Sequence, residues 1–442
     1  AFYEGDAFGP HYKNAPWHAD AGPREVRLYR HEPAGAGKRA TSEVILTTVG
    51  DGYFRPDDVC VHPDGSVYIS DWYDGGVGGH AYNNPDQGRI FVLRPAGKRL
   101  QPVAPPGPYH TIDEALAGLK SPNLATQYLA RERLLAEGQD SVPALVRLLD
   151  DTEPNYRARA LWVLDRIGGA AREHVVRQLQ NEDAAFRALA VRILRRHGGE
   201  FARQILAMAR DPAPEVLREV LLALPHIEGE QPLAILTELA TSFDGGDRYL
   251  LETINIAAAG RKPMLVAALL ERGLTSLGAI QLLQALDPQA AAELLTRSLT
   301  AASVDDAVRA SLLALLGGTP SPEAGETVLR LAADAKAPAE LRRLALHLLA
   351  VHLGGPWQEL RNSSQLAAML PPLLADPELR QPALALIRQQ GLDALGGSVL
   401  ALVRNPEIPD AERIEAVETL AALRGQPADG AEEALLDLVR TG

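Results

Sequence analysis

The sequence has little of several residue types that bring particular chemistries with them. Its single cysteine, Cys60, excludes an internal disulfide, a paired-cysteine zinc site and a CxxCH attachment for covalent haem within this chain. Aromatic residues make up only 5% of the chain. Such a composition suits the packing of small side chains between helices better than a large β-core. No apolar run approaches the roughly 18 residues of a membrane-spanning helix.

Positive charge is also scarce. The 442 residues carry 44 Lys and Arg against 57 Asp and Glu, a formal net charge of -13. Since phosphate backbones require a positive surface, this balance argues against nucleic acid as a partner. No signal peptide or membrane segment is evident. The first residue is Ala1, and the sequence begins in the middle of a motif. We therefore expect this chain to be a piece of a longer protein.

What is present divides the chain into two regions. Residues 1–103 are rich in Gly, Pro, Asp and aromatic residues and contain short alternating runs, whereas residues 111–442 have helical periodicity. The Pro-rich residues 104–110 between them are predicted to be a linker, because proline lacks a backbone donor and favours extended conformations. The predicted fold class is α/β multidomain, mostly α. The hydrophobic fraction of 46% is typical of a globular protein.

The helical region repeats itself every 30 residues. Asn155–Leu164 matches Ala185–Leu194, and Gly168-Gly169 matches Gly198-Gly199 at the same offset. A fixed period with two helices per unit is typical of an α-solenoid, here of about ten helix pairs. The second helices are predicted to begin near Asn123, Pro154, Ala184, Pro214, Gly246, Thr275, Ser303, Pro338, Pro377 and Asp410.

Three of the turns carry an acidic or amide residue, and an arginine follows six or seven residues later. The pairs are Asp151 with Arg157, Asn181 with Arg187, and Asp211 with Arg218. This pattern resembles the HEAT repeats, an armadillo-like class of solenoid. The resemblance implies a ladder of hydrogen bonds between neighbouring repeats, which we favour over an anion-binding ridge. Pro225 is expected to kink the second helix that contains it.

The first region has the pattern of a β-meander. Residues 56–71 alternate apolar and polar positions around an Asp64-Gly65 turn and predict a hairpin. A third strand is predicted at Gly88–Leu93 and a short fourth at Arg99–Val103. Four antiparallel strands of this kind form one blade of a β-propeller.

A preceding half-blade is predicted upstream. Arg24–Arg30 repeats the third-strand pattern, and Glu43–Thr48 would be the fourth strand of that blade. The region would then hold about 1.5 blades, an incomplete propeller fragment whose ring needs further blades to protect its edges. We expect those blades to precede Ala1 in a longer chain.

Several motifs add a closer resemblance. Phe54–Val59, Asp71–Asp74, Gly78-Gly79-His80, Gly88–Ile90 and Ser121–Thr126 resemble segments of bacterial proteins described as membrane-bound dehydrogenases. Those proteins join a sugar-dehydrogenase-like or NHL-like propeller to HEAT repeats, often with a c-type haem domain. The resemblance implies calcium and a quinone (PQQ) in the full-length parent, and a periplasmic or exported location. This fragment alone is expected to be inactive.

Three polar and aromatic segments are expected to meet on one face of the blades, Gly5–Pro23, Val49–Arg55 and Trp72–Gln87. The candidate ligand-binding residues there are His11, His18, Asp20, Asp51, Arg55, Trp72 and His80. The candidate calcium ligands, which offer hard oxygen atoms, are Asp71, Asp74, Asn83 and Asp86. The alternatives are histidines that act as bases or bind a transition metal, and a purely structural role in which these carboxylates cap turns.

Two functional hypotheses follow. In the first, the solenoid is a protein-interaction scaffold whose partner is another protein or the missing propeller blades. In the second, the β region belongs to a quinoprotein-like sugar or alcohol dehydrogenase whose catalytic blades lie upstream. The sequence specifies neither the substrate nor the partner.

Overall fold

A computed structural model describes most of the chain. The described residues are 1–75, 86–101, 103, 107–272, 277–300 and 306–423, without the side chains of Leu277 and Thr300. They form two compact units, Ala1–Ile235 and Leu236–Gly442, and each is described by itself. Among the described residues, no helix has the length and apolar character needed to cross a bilayer. The domain limits predicted at residues 103 and 111 stay a prediction.

The first sheet is a complete four-stranded antiparallel meander in chain order. Its strands are β1 (Phe2–Tyr3), β2 (Ala15–Asp20), β3 (Glu25–Ala34) and β4 (Gly37–Thr47). The prediction of only half a blade, with two strands, was therefore wrong. Two further strands precede the predicted pair, and β2 occupies part of a segment that we expected to be a loop. The tight turn between Asp20 and Glu25 pairs β2 with β3.

The second sheet has three antiparallel strands. They are β5 (Pro56–Val61), β6 (Val67–Asp71) and β7 (Arg89–Leu93). The hairpin and its third strand are confirmed, with Val59 opposite Ile69. The predicted fourth strand at Arg99–Val103 is wrong for its described residues, which form no strand. Prolines 102, 105 and 106 in the sequence cannot donate to a ladder, which disfavours a strand here.

The two sheets share one apolar core. Its buried members are Tyr3, Ala15, Trp17, Val26 and Leu28 from the first sheet, and Val59, Val61, Val67 and Ile69 from the second. The rings of Tyr3 and Trp17 stack at 5.1 Å between centroids. The described residues contain two separate open sheets and no closed ring of blades.

The rest of the first unit is helical. Its helices are α1 (Ile112–Leu119), α2 (Leu124–Glu137), α3 (Val142–Leu148), α4 (Pro154–Ile167), α5 (Glu173–Arg177), α6 (Ala184–Leu194), α7 (Ala202–Ala207) and α8 (Pro214–Ala223); α9 (Gln231–Thr241) spans the unit boundary. Thr111 and Glu114 form a capping box that starts α1. Gly138 and Gly168, 30 residues apart, end α2 and α4 at φ values of 56° and 76°, where a side chain would be strained.

The second unit continues the helix pairs. Its helices are α10 (Arg248–Ala257), α11 (Lys262–Glu271), α12 (Leu277–Leu286), α13 (Pro288–Thr300), α14 (Asp306–Gly317), α15 (Pro322–Ala333), α16 (Ala339–His352), α17 (Gln358–Arg361), α18 (Ser364–Ala375), α19 (Arg380–Gln390), α20 (Gly396–Arg404) and α21 (Asp410–Ala422). The short α17 interrupts the pairing. It follows the buried Trp357, whose indole nitrogen donates to the carbonyl oxygen of Thr319 at 3.0 Å.

The predicted solenoid is confirmed as a mostly α repeat array. All ten predicted second helices are present among the described residues, and each begins within three residues of its predicted start. Pro225 behaves differently from the prediction. The helix α8 ends at Ala223, and Pro225 lies in a 3₁₀ turn, Leu224–His226, so the proline terminates the helix instead of kinking it.

The arginine ladder is confirmed at one of its three predicted positions. Arg187 donates to both carboxylate oxygens of Asp211 in the next repeat, at 2.7 and 2.9 Å. Arg157 instead lies over the ring of Phe186 at 4.0 Å, and Arg218 donates to the carbonyl oxygen of Ala36 in the first sheet. A local pattern identifies the arginine but not its partner.

Candidate functional site

Asp71 is the centre of a polar cluster at one end of the second sheet. It is the last residue of β6, and its side chain is fully buried. Its Oδ2 accepts from Nε and Nη2 of Arg89 at 2.8 and 2.6 Å. Its Oδ1 accepts from the backbone nitrogens of Arg55 and Tyr73 at 2.8 and 3.0 Å. Both oxygens therefore hold the adjoining loops in place.

Arg89 connects this carboxylate to a second one. Its Nη2 also donates to Oδ2 of Asp51 at 2.7 Å. The hydrogen bond from Arg89, together with one from the backbone of Tyr53, holds the pKa of Asp51 below its ordinary value. The guanidinium lies 4.7 Å from the ring centroid of Tyr73, a cation–π distance. The result is one cation shared by two acids and an aromatic ring.

Arg55 joins three chain segments. Its side chain is buried, with Nη1 donating to the carbonyl oxygen of Ala21 at 3.2 Å and Nη2 to that of Gly75 at 3.4 Å. The rings of Tyr53 and Tyr73 stack at 5.2 Å. In the described residues, the loop before β5 and the loop after β6 thus meet at the β2–β3 turn, as predicted. We call this end of the sheets, defined by Asp51, Arg55, Asp71 and Arg89, the loop-end cluster.

The first part of the Gly5–Pro23 segment is elsewhere, which corrects the prediction that all of it lies on this face. The backbone nitrogen of Phe8 donates to the hydroxyl of Tyr3 at 3.3 Å. That hydroxyl in turn donates to the carbonyl oxygen of Gly65 at 2.9 Å, in the β5–β6 turn at the opposite end of the second sheet. The six residues of β2 separate the two ends by roughly 17 Å. His11 pairs with Glu43 at 3.0 Å and does not contact the loop-end cluster.

The remaining described ligand-binding candidates have other neighbours. The ring of His18 contacts that of Tyr29 at 6.2 Å between centroids, and Asp20 pairs with Arg27 at 3.8 Å. Trp72 is 55% exposed. His80 lies outside the described residues.

The calcium prediction is not tested by this arrangement. Asp74 is buried and Asp86 exposed, whereas Asn83 lies outside the described residues. Among the residues that are described, no group of three or more His, Cys, Asp or Glu side chains is placed to hold a metal ion. The guanidinium of Arg89 contacts Oδ2 of Asp71 with two nitrogens in this arrangement, and the calcium role of Asp71 stays a prediction.

A second candidate surface was not predicted by any motif. It is the side of the second helices of the first repeats that contacts the two sheets, and we call it the second-helix face. Its residues are Asn123, Glu153, Asn155, Arg159 and Arg218, from the N-caps and first two turns of α2, α4 and α8.

Ion pairs and an amide pair attach the first sheet to the second-helix face. Arg159 forms a short ion pair with Glu4, and it also donates to the carbonyl oxygen of Leu119 at 3.0 Å. Lys13 pairs with Glu153 at 3.2 Å. A hydrogen bond of 2.8 Å runs from the side-chain nitrogen of Asn155 to the side-chain oxygen of Asn14.

Two further contacts come from the sheet turns and strands themselves. Arg218 donates to the carbonyl oxygen of Ala36, at the buried tip of the β3–β4 hairpin. Asn123 caps α2 with its side-chain oxygen and donates from Nδ2 to the carbonyl oxygen of Val61 at 2.7 Å. The contacts of the second-helix face therefore reach both sheets.

No protein-family profile and no curated protein matches the sequence. Solved structures that it resembles include an engineered protein, at 16% identity and a TM-score of 0.23, covering 75% of this chain and 99% of that one. The CpcE–CpcF complex of phycocyanin lyase from Nostoc sp. PCC7120 shows 20% identity and a TM-score of 0.20 (62% and 97% covered). Human deoxyhypusine hydroxylase in complex with glycerol shows 18% and 0.24 (66% and 98%). Scores this low carry no argument about function.

Proposed function

We propose that this chain is a protein-interaction scaffold whose second-helix face binds its own β region and whose later repeats bind a protein partner. One observation carries the proposal. The side-chain contacts between the sheets and the helices that are described above all involve second helices or the residues that cap them. A solenoid offers one such face in every repeat.

The chemistry of this interface suits binding and release. Two of its contacts, Arg159 with Glu4 and Lys13 with Glu153, are ion pairs. Interfaces between domains of one chain are more polar than permanent subunit interfaces, and relative motion of the domains is their ordinary behaviour. Screening by salt should therefore weaken the attachment of the sheets to the helices.

The proposal is tested by cutting the folded protein. A specific protease site is inserted after Pro106 in the predicted linker, the purified protein is cleaved, and size-exclusion chromatography follows the two pieces. We expect the β piece to co-elute with the helical piece at low salt. The double change Arg159→Ala and Arg218→Ala should release it at lower salt than the wild type.

A matched control distinguishes this face from general destabilisation. Arg203 is an exposed arginine on α7, so Arg203→Ala should leave co-elution unchanged. If the pieces separate at low salt in the wild type, or if the double variant behaves as the control does, the second-helix face is not a binding surface.

As a second candidate, the β region is the end of a quinoprotein-like dehydrogenase propeller, exported to the periplasm, whose calcium and quinone are held mainly by blades of a longer chain. The apolar core that the two sheets share and the meeting of loops at Arg55 support this candidate. Calcium titration calorimetry tests it. Binding that is lost in Asp74→Asn but kept in Asp64→Asn, a turn residue, is the expected result. Absence of binding in the wild type would remove the calcium role from this chain.

A further inference from the structure

A cavity of about 460 Å³ lies within the first unit between the β3–β4 hairpin and the helices α4, α6 and α8. Its roof is the hairpin tip, which Arg218 anchors through the carbonyl oxygen of Ala36. Sites for small molecules commonly have volumes of about 300–1,000 Å³. The cavity is thus large enough for a compact organic ligand, and it is separate from the loop-end cluster.

Three cations line the cavity, Arg192, Arg218 and Lys38. Arg192 and Arg218 lie together because both contact Glu219, and Lys38 is two residues from Ala36, which Arg218 contacts. Beneath them, the buried carboxylate of Glu219 lies 2.6 Å from Arg192, 3.1 Å from Arg218 and 3.5 Å from Arg195. Three guanidinium groups therefore share one carboxylate. With Lys38 and the two acids of the lining, Asp183 and Glu215, there are four positive and three negative charges, a surplus of one. Arg192 keeps 46% of its side chain exposed, so it is accessible to a ligand.

The middle of the cavity is apolar. Ala158 of α4 and Phe186 and Leu189 of α6 form its floor. Phe186 is fixed in place because Arg157 covers its ring at 4.0 Å. A preformed apolar floor beside a basic group is the usual composition of a site for an amphipathic ligand.

Two acids also line the cavity, and their positions set its polarity. Asp183 caps α6, where its carboxylate accepts from the backbone nitrogen of Ala185 at 2.9 Å. It precedes Arg192 by nine residues, so it lies roughly 13 Å away along the helix. Glu215 lies in the first turn of α8, where the helix dipole favours negative charge. Both acids lie at helix N-termini, but only Asp183 is remote from the guanidinium groups, since Glu215 precedes Arg218 by three residues and lies one turn away on the same helix.

We infer that this cavity binds a small organic anion, with a carboxylate or phosphate at Arg192 and Lys38 and an apolar body on Phe186 and Leu189. Binding under the hairpin would add to the attachment of the first sheet to the helices. The inference goes beyond the scaffold proposal, because it concerns a small molecule and stands whether or not a protein partner binds.

The test uses the full chain and titration calorimetry with 4-phenylbutyrate. We expect binding, and at least about tenfold weaker binding of the neutral 4-phenylbutanamide, because charge-assisted hydrogen bonds are the stronger ones. Equal affinity for the acid and the amide would overturn the proposal. So would binding of the peptide acetyl-Leu-Phe without binding of 4-phenylbutyrate, since that would assign the site to a chain end.

Variants locate the site. Lys38→Gln and Arg192→Gln should each weaken binding of 4-phenylbutyrate, by about tenfold for Arg192. Ala158→Phe should abolish binding by filling the floor. The matched control is Arg39→Gln, the exposed neighbour of Lys38 on the hairpin, which should bind as the wild type does. If Lys38→Gln and Ala158→Phe, shown to be folded by circular dichroism, bind with wild-type affinity, the cavity is not the site.

Discussion

The helical repeats and the β region are stabilised by contacts of very different range. Within the repeats, Arg187 reaches Asp211 across 24 residues and Lys120 reaches Asp151 across 31. The contacts from the first sheet to the helices span 141 residues at Asn14 and 182 at Ala36. Repeats bury their surfaces against sequence neighbours, whereas the sheets depend on distant parts of the chain.

This difference teaches where each region gets its stability. A repeat array is approximately a sum of nearest-neighbour terms, so removing one end leaves the remaining interfaces intact. The two open sheets share a single small core and have strand edges, which are costly to leave unpaired. We therefore expect the two regions to respond differently to the same kinds of change.

Separating the regions should have the largest effect. A chain of residues 107–442 should keep its helical circular-dichroism signal and unfold cooperatively on heating. A chain of residues 1–103 should not fold alone, because it loses the second-helix face and keeps unpaired edges. Thermal unfolding of each purified chain measures this. A cooperative transition of the 1–103 chain as a monomer would contradict the comparison.

The same contrast explains how much of the fold could be predicted. The helical pattern identified all ten second helices, although the 30-residue period drifts after Gly260, because helix faces and caps such as Asn123 and Gly168 are local signals. The hairpin at β5–β6 was predicted from its turn. The strand β2 was not predicted, because the Gly, Pro and aromatic residues around it resemble a loop. Its partner β3 was predicted as part of a half-blade, so no strand was expected before it.

The candidate sites were predictable only in part. Polar loop residues pointed to the loop-end cluster, but the engagement of Asp71 by Arg89 was not foreseen, because no spacing pairs an acid with an arginine 18 residues later. The second-helix face left no signal. Arg218 fitted a repeat pattern, and only the folded chain shows that Ala36 is its acceptor.

Asp71→Ala should be the most damaging single change in the β region. It leaves the guanidinium of Arg89 without its buried partner and removes the acceptor of two backbone N–H groups, at a cost of about 3 kcal/mol. Urea unfolding of the wild type and the variant measures the loss. The control is Asp86→Ala, an exposed acid whose removal should cost less than about 0.5 kcal/mol. Equal losses in the two variants would show that Asp71 has no structural role.

Arg187→Ala should have a smaller effect in the repeats. The carboxylate of Asp211, 5% exposed, would lose both charged hydrogen bonds but keep one from the backbone of Ala213. We expect a loss of about 2 kcal/mol in the free energy of unfolding. Contacts between neighbouring helices in the other repeats should limit this loss of stability. Arg203→Ala, at an exposed position on α7, is the control. A loss in Arg187→Ala equal to that in Asp71→Ala would weaken the distinction between the regions.

Lowering the pH should produce the smallest change in the free energy of unfolding. That change should depend on the ion pair between Arg187 and Asp211. Burial alone would raise the pKa of Asp211, but hydrogen bonds from Arg187 and Ala213 outweigh burial and lower it from 3.8. A pKa that is lower in the folded than in the unfolded state stabilises the fold above pH 3.8, and that contribution is lost as the pH falls through the folded value. Replacing Arg187 by Gln removes the cation, so the difference in unfolding free energy between pH 7 and pH 3 should be smaller in the variant than in the wild type. Urea unfolding at the two pH values measures both differences. Arg203→Gln should retain the wild-type difference, and an unchanged difference in Arg187→Gln would mean that this pair contributes nothing to acid sensitivity.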